Sequence, residues 1–193
     1  MGEDGVRRAK KWLDATTRVH SSWTVYDDVP EVVERLTFKW PQGDQDYSYD
    51  LGGEMYGGGF HKQFFLAECK LYKDASDQPN HYSKFLAQSY VTLGAEPKLA
   101  THYMWITWAP FEATKWSRVR DPKRIVRALT KDATNRRRVF GDGVDEAGAL
   151  AAVDDGRVEE LSRRLWMIVL SERQEALVIS DEDRKLVLQQ RLG

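Results

Sequence analysis

Residues 64 to 72 read Phe64-Phe65-Leu66-Ala67-Glu68-Cys69-Lys70-Leu71-Tyr72. This apolar and aromatic run, part of a longer segment from Lys62 through Tyr72, predicts a β-strand. Side chains two positions apart share a strand face, so Glu68 and Lys70 are expected to point one way and Cys69 the other. Burying a charge costs free energy unless the charge is paired or bound to a metal ion. The strand is therefore predicted either to leave one face exposed or to hold the two charges for a function.

A second acidic residue, Asp50, ends the preceding predicted strand, Tyr47 to Leu51. The glycines Gly52-Gly53 and Gly57 to Gly59 predict a flexible turn that returns the chain beside Glu68. Two carboxylates with an ammonium group two residues along supply oxygen ligands for a magnesium ion and a cation near a reacting phosphate. This set suits hydrolysis of a phosphodiester. An accidental set of surface charges is the alternative.

The rest of the chain alternates between helical and strand-like patterns. The further predicted elements are a helix Glu3–Ala15, strands Ser22–Tyr26 and Arg35–Trp40, a helix Asn80–Leu93 stopped by Gly94, a strand Leu99–Ala109, a helix Pro122–Lys131, a strand Arg164–Ser171 and a helix from Ser180 to Leu192. This order predicts an α/β fold with a central mixed β-sheet flanked by helices. Residues 1–110 are expected to form the core and 111–193 a C-terminal α/β extension packed on it.

Composition narrows the class of protein. A chain of 193 residues with 41% hydrophobic content can bury one substantial core. Its single cysteine, Cys69, excludes an internal disulfide framework and a cysteine-based zinc cage. No apolar stretch is long enough to cross a bilayer, and the first residues lack a hydrophobic signal region. We therefore expect a cytoplasmic protein without a membrane partner.

The formal net charge of -1 conceals one basic segment. From Lys115 to Arg138 the chain has ten lysines and arginines against two aspartates. Such asymmetry favours phosphate contact, although a solvated helix face is the ordinary alternative. The candidate contacts to nucleic acid are Arg136, Arg137 and Arg138, with Arg7 and Lys11 on the basic face of the first predicted helix.

Asp50 followed by Glu68-Cys69-Lys70 resembles the PD-(D/E)xK motif of the restriction endonuclease-like nucleases. That superfamily has a core of helix, three antiparallel strands, helix and strand, and residues 3–109 resemble this order. The resemblance implies a metal-dependent DNA endonuclease of restriction, repair or phage defence. Asp50, Glu68 and Lys70 would be catalytic, with Asp50 and Glu68 as ligands of Mg²⁺, which Mn²⁺ is expected to replace. Tyr49 stands where the motif often has proline.

The same resemblance implies roles for two more residues, Glu3 and Gln88. Glu3 lies about one turn before the place of the acidic residue that many members carry on the first helix. It is either a third metal ligand or an acid favoured by the helix dipole. Gln88 resembles a catalytic glutamine on the second core helix of several DNA-processing subfamilies, but the spacing to a later tyrosine is not reproduced.

Two other functions stay open at this point. One is a catalytically silent member that keeps the fold as a DNA-binding or assembly module. The other is an exonuclease subunit that works with a motor partner, for which Gln88 is the cue. The apolar run Leu165 to Leu170 either forms the interface of a homodimer or larger nuclease complex, or closes the sheet of its own chain.

Overall fold

The computed structural model describes residues 2–16, 18–71, 77–98 and 101–192. The helices are α1 (Gly2–Ala15), α2 (Pro30–Leu36), α3 (Gln78–Ala95), α4 (Pro122–Thr130), α5 (Ala133–Phe140), α6 (Glu146–Ala152), α7 (Asp155–Arg164), α8 (Glu172–Glu175) and α9 (Asp181–Leu192). The strands are β1 (Val19–Thr24), β2 (Thr37–Lys39), β3 (Asp46–Ser48), β4 (Leu51–Met55), β5 (Phe64–Lys70), β6 (His102–Thr107) and β7 (Leu165–Val169). Within these ranges no helix has the length and apolar character needed to cross a membrane.

A five-stranded mixed sheet forms the centre, in the order β1-β4-β5-β6-β7. β4 runs antiparallel to both of its neighbours, β1 and β5, whereas β5, β6 and β7 run parallel to one another. The parallel step from β5 to β6 requires a crossover, and α3 supplies it. The predicted mixed sheet flanked by helices is thus confirmed. The apolar run from Leu165 forms β7 and extends this chain's own sheet.

Helices cover both faces of the sheet because its strands are apolar on both sides. On one face, α1 packs against β1 and β5 over a cluster that includes Val6, Ala9, Leu13, Phe65, Ala67, Cys69, Met104 and Ile106. On the other face, α3, α4 and α7 share a larger cluster with Leu66, Tyr103, Trp105 and Leu165. This alternation of residues along β5 and β6 follows the two-residue period of a strand.

The prediction that Gly52 and Gly53 belong to the turn was wrong. Gly52 and Gly53 lie inside β4, and the predicted strand Tyr47–Leu51 is divided between β3, which pairs with β2, and β4. A Cβ atom at Gly53 would lie 2.5 Å from the carbonyl oxygen of Ser21 and 2.7 Å from the Phe65 ring. These glycines therefore permit close packing between strands and do not reverse the chain. The reversal occurs at residues 56–63.

Several predicted boundaries also differ from the structure. Pro30 begins α2, because proline suits the first turn of a helix, and only residues 37–39 of the predicted strand Arg35–Trp40 are extended. Gly94 lies inside α3 and does not stop it. Helices α5, α6 and α7 were not predicted, although each begins at an aspartate cap. Tyr72, Leu99 and Ala100 lie outside the described residues.

Candidate active site

The β4–β5 pairing brings Asp50 to the strand that carries Glu68 and Lys70. Leu51 is the register partner of Ala67, so Asp50, one residue earlier, lies beside Glu68, one residue later. The Asp50 carboxylate accepts a hydrogen bond of 2.8 Å from the main-chain N–H of Cys69. Two strands thus fix this carboxylate, one through the chain and one through the hydrogen bond.

Glu68 and Lys70 share one face of β5, as the strand alternation predicts. The Lys70 Nζ atom lies 2.6 Å from Glu68 Oε1, and the two side chains are only 19% and 16% exposed. Cys69 points to the opposite face, where it is buried in the cluster beneath α1. Burial raises the pKa of the Cys69 thiol well above its ordinary value, which keeps the thiol protonated and unreactive.

The surroundings of Asp50 favour the protonated form of its carboxyl group. The pKa of Asp50 is raised to about 7, first because the carboxyl is buried and then because the charge of Glu68 repels a second negative charge. The hydrogen bond from Cys69 and the charges of Lys70 and Lys84 act in the opposite direction and do not overcome the rise. Two close carboxylates that titrate in this way favour a bound cation.

The N-terminal turn of α1 borders the same site through Tyr26. Burial raises the Tyr26 pKa most, and the charges of Asp50 and Glu3 raise it further. A Cβ atom at Gly2 would lie 3.1 Å from the Tyr26 hydroxyl. The sequence pattern predicts Tyr26 at the end of a strand and indicates no role for it. The pairing of Val25 N–H with the Asp50 carbonyl at 3.3 Å, which only the structure reveals, brings it here.

Glu3, the expected third ligand, is engaged elsewhere. Its carboxylate pairs with Arg7 at 2.8 Å, and its side chain is 54% exposed. In the described ranges, no group of three or more histidine, cysteine, aspartate or glutamate side chains is arranged to hold a metal ion. Asp50 and Glu68 therefore form a pair of carboxylates without a third from this set.

Helix α3 borders the site with its N-terminal half. Lys84 lowers the pKa of Asp50 through its charge, and His81 has its own pKa lowered by partial burial and by the charge of Lys70. Gln88 follows Lys84 by one turn and is 3% exposed. Its main-chain carbonyl accepts a hydrogen bond of 3.3 Å from the Tyr47 hydroxyl. Lys84 was missed from the sequence, although it precedes Gln88 at helical spacing.

The five basic residues expected to contact nucleic acid divide into two groups. Arg136 donates to the carbonyls of Val144 and Thr130, and Arg138 donates to the Gln45 side chain, so both have partners within the protein. The others are on the surface: Arg7 paired with Glu3, Lys11 on α1, and Arg137 at 3.9 Å from Asp142.

Comparison of the chain with protein-family models, with curated proteins and with solved structures gave no match. The functional interpretation therefore depends on the chemistry of Asp50, Glu68 and Lys70 in this chain.

Proposed function

We propose that this chain is a metal-dependent nuclease with a restriction endonuclease-like core, and that it hydrolyses phosphodiester bonds in DNA. The order in which the chain enters the five-stranded sheet supports the proposal. It runs α1, then the antiparallel strands β1, β4 and β5, then α3 and β6, with α2 and the β2–β3 hairpin inserted. This is the order of helix, three strands, helix and strand that the PD-(D/E)xK resemblance implies.

One observation carries the proposal. The Asp50 carboxylate is held at 2.8 Å by the N–H of Cys69, next to an ion pair of 2.6 Å between Glu68 and Lys70. Asp50 and Glu68, which are 18 positions apart in sequence, thus meet at one end of the β4–β5 strand pair. The pKa of Asp50 is raised first by burial and then by the charge of Glu68, and a cation bound between the two carboxylates would relieve both effects.

The donor set fits magnesium. Mg²⁺ keeps several waters and is commonly bound by one or two carboxylates together with substrate phosphates, so a third protein carboxylate is not required. Asp50 and Glu68 would hold the ion. When bound, it polarises a phosphoryl oxygen and makes a water more acidic. The Lys70 ammonium is placed to orient the attacking water and to stabilise negative charge that develops on the phosphoryl group.

The test compares Glu68→Gln with Glu54→Gln. Glu54 lies four residues after Asp50 on β4 and is the register partner of Phe64, so the same substitution there changes the same hairpin away from the carboxylate pair. We expect magnesium-dependent nicking or linearisation of supercoiled plasmid by the wild type and by Glu54→Gln. We expect loss of cleavage, and weaker magnesium binding by calorimetry, in Glu68→Gln.

Two results would contradict the proposal. Cleavage that survives in Glu68→Gln would show that a different site, or a contaminant, cuts the DNA. A folded wild type that cleaves no plasmid, linear or single-stranded DNA with magnesium or manganese would favour the silent DNA-binding module.

A further inference from the structure

A basic cleft of about 610 Å³ borders α3 on the flank away from the candidate active site. Pro79, Asn80 and Ser83 line the cleft from the N-terminal half of α3. His81 and Lys84, in the same stretch of helix, lie near the candidate site. The charge of Lys70 lowers the pKa of His81, and the charge of Lys84 lowers the pKa of Asp50. Successive residues of a helix point in different directions, so one short helical segment separates the two sites.

The acidic residues of the cleft are already engaged within the protein. Glu112 pairs with Arg124, whose guanidinium also lies over the Tyr82 ring. Asp121 caps α4 by accepting from the N–H of Lys123, and Asp132 caps α5 in the same way. These carboxylates stabilise helices and a local ion pair, so they offer few free acceptors to a ligand.

Four basic residues that line the cleft are exposed to solvent: Lys115, Arg118, Lys123 and Arg127. Among the described residues, no carboxylate oxygen lies within 4.0 Å, the distance of an ion pair, of a side-chain nitrogen of any of these four. The charges of Lys115 and Arg127 both lower the pKa of Glu112, so the two cations lie near this one carboxylate. Several cations that share a concave surface concentrate positive potential there.

We propose that this cleft binds the sugar-phosphate backbone of nucleic acid, and that the bound strand continues across the N-terminal half of α3 to Asp50 and Glu68. The identity of that nucleic acid as the substrate rests on the proposed function. Exposed lysines and arginines suit contacts with phosphates and carry no base-specific geometry, so we expect binding that depends little on sequence.

The dimensions favour an extended polyanion. A helix with its side chains is about 10–12 Å across, and duplex DNA carries one negative charge per roughly 1.7 Å of its axis. A duplex that crosses α3 therefore presents about six charges over the width of the helix. One phosphate can lie at the carboxylates while its neighbours lie at the cleft.

The test separates the position of charge from its amount. In a Glu68→Gln background with a chelator present, the affinity for a fluorescent duplex is measured by anisotropy for two double variants. Arg118→Glu with Arg127→Glu changes the cleft, and Arg173→Glu with Lys185→Glu changes exposed cations on α8 and α9 by the same total charge. We expect Kd to rise about tenfold or more for the cleft variant, and the slope of log K against log salt to fall by about two. The α8–α9 variant should stay within about twofold of the parent.

Several outcomes would overturn the inference. Equal weakening in both double variants would mean that total charge governs binding. Unchanged DNA affinity in the cleft variant, with loss of inorganic phosphate or pyrophosphate binding, would assign the cleft to a small anion. If the charge reversals unfold the protein in a melting experiment, the neutral pair Lys115→Gln with Lys123→Gln replaces them, with an expected rise in Kd of a few fold.

Failure of the nuclease proposal would look different. If the wild type binds DNA through the cleft and cleaves none, the nuclease proposal is refuted and the proposed binding surface is retained. If the wild type cleaves plasmid with magnesium and the cleft variant binds and cleaves DNA equally well, only the proposed binding surface is refuted.

Discussion

The two flanks of α3 border a carboxylate pair on one side and a basic cleft on the other, and the charges are held in opposite ways. On one flank, Asp50 and Glu68 are largely buried and fixed by strand pairing, and burial followed by the charge of Glu68 raises the Asp50 pKa. On the other flank, cations such as Arg118 and Arg127 are exposed, and their charges are solvated. A buried charge without a full complement of partners destabilises the fold, whereas a solvated charge does not. The acidic flank should therefore affect stability, and the basic flank should affect only binding.

The largest effect should come from Asp50→Asn in metal-free protein. The folded pKa of Asp50, about 7, lies above its ordinary value of 3.8, so the folded state holds a proton more tightly than the unfolded state. Wild-type stability should then fall as pH rises from about 4 through about 7, and Asp50→Asn should lack this loss. Above pH 7 we expect the variant to be more stable by about 2–4 kcal/mol, measured by denaturant unfolding with a chelator present.

Two controls sharpen this experiment. Asp46→Asn removes an exposed carboxylate from β3 and should change the pH profile little. Arg118→Glu with Arg127→Glu should leave the free energy of unfolding within about 0.5 kcal/mol of the wild type at each pH. A wild-type stability that is independent of pH between 4 and 8 would show that burial and the charge of Glu68 do not raise the Asp50 pKa in solution.

The acidic flank could be predicted from the sequence, and the basic flank only in outline. Glu68 and Lys70 are two residues apart, so the strand period alone places them on one face, and a hairpin brings Asp50 to them. The predicted turn nevertheless included Gly52-Gly53 as well as Gly57 to Gly59, and only the second group lies in the observed reversal at residues 56–63. A glycine that permits strand packing and one that permits a turn look alike in sequence. Only the spatial neighbours Ser21 and Phe65 distinguish them.

Residues brought in from separate elements were harder to predict. Tyr26 reaches the site because the pairing of β1 with β4 continues to Asp50, and nothing local in the sequence indicates that register. In the basic segment, charge counting could not separate Arg136, which bonds to main-chain carbonyls, from Arg127, which is exposed. That difference depends on helix packing, which a linear count of charges does not contain.

The next effect concerns how strongly strand packing maintains the acidic flank. Gly53→Ala should lower the free energy of unfolding by about 1–3 kcal/mol, because its Cβ would lie 2.5 Å from the Ser21 carbonyl oxygen, a rigid main-chain atom. Gly59→Ala is the matched control, since no atom outside its immediate neighbours lies within 4 Å of the added Cβ. Denaturant unfolding of both variants measures the difference. Equal stabilities would mean that β1 and β4 separate easily, and that the position of Asp50 is less fixed than the hydrogen bond to Cys69 indicates.

The smallest effect tests whether the number of free cations limits binding at the basic flank. Lys131 lines the cleft but pairs with Glu146, and both side chains are largely exposed at 62% and 49%. Such surface pairs contribute little to stability, so Glu146→Gln should cost less than about 1 kcal/mol. It should free Lys131 and tighten duplex binding about twofold at low salt, because one more cation can release counterions from the DNA. Glu182→Gln on α9 removes the same charge far along the chain from the cleft. If it tightens binding as much as Glu146→Gln does, net charge governs DNA affinity and the cleft has no special part in it.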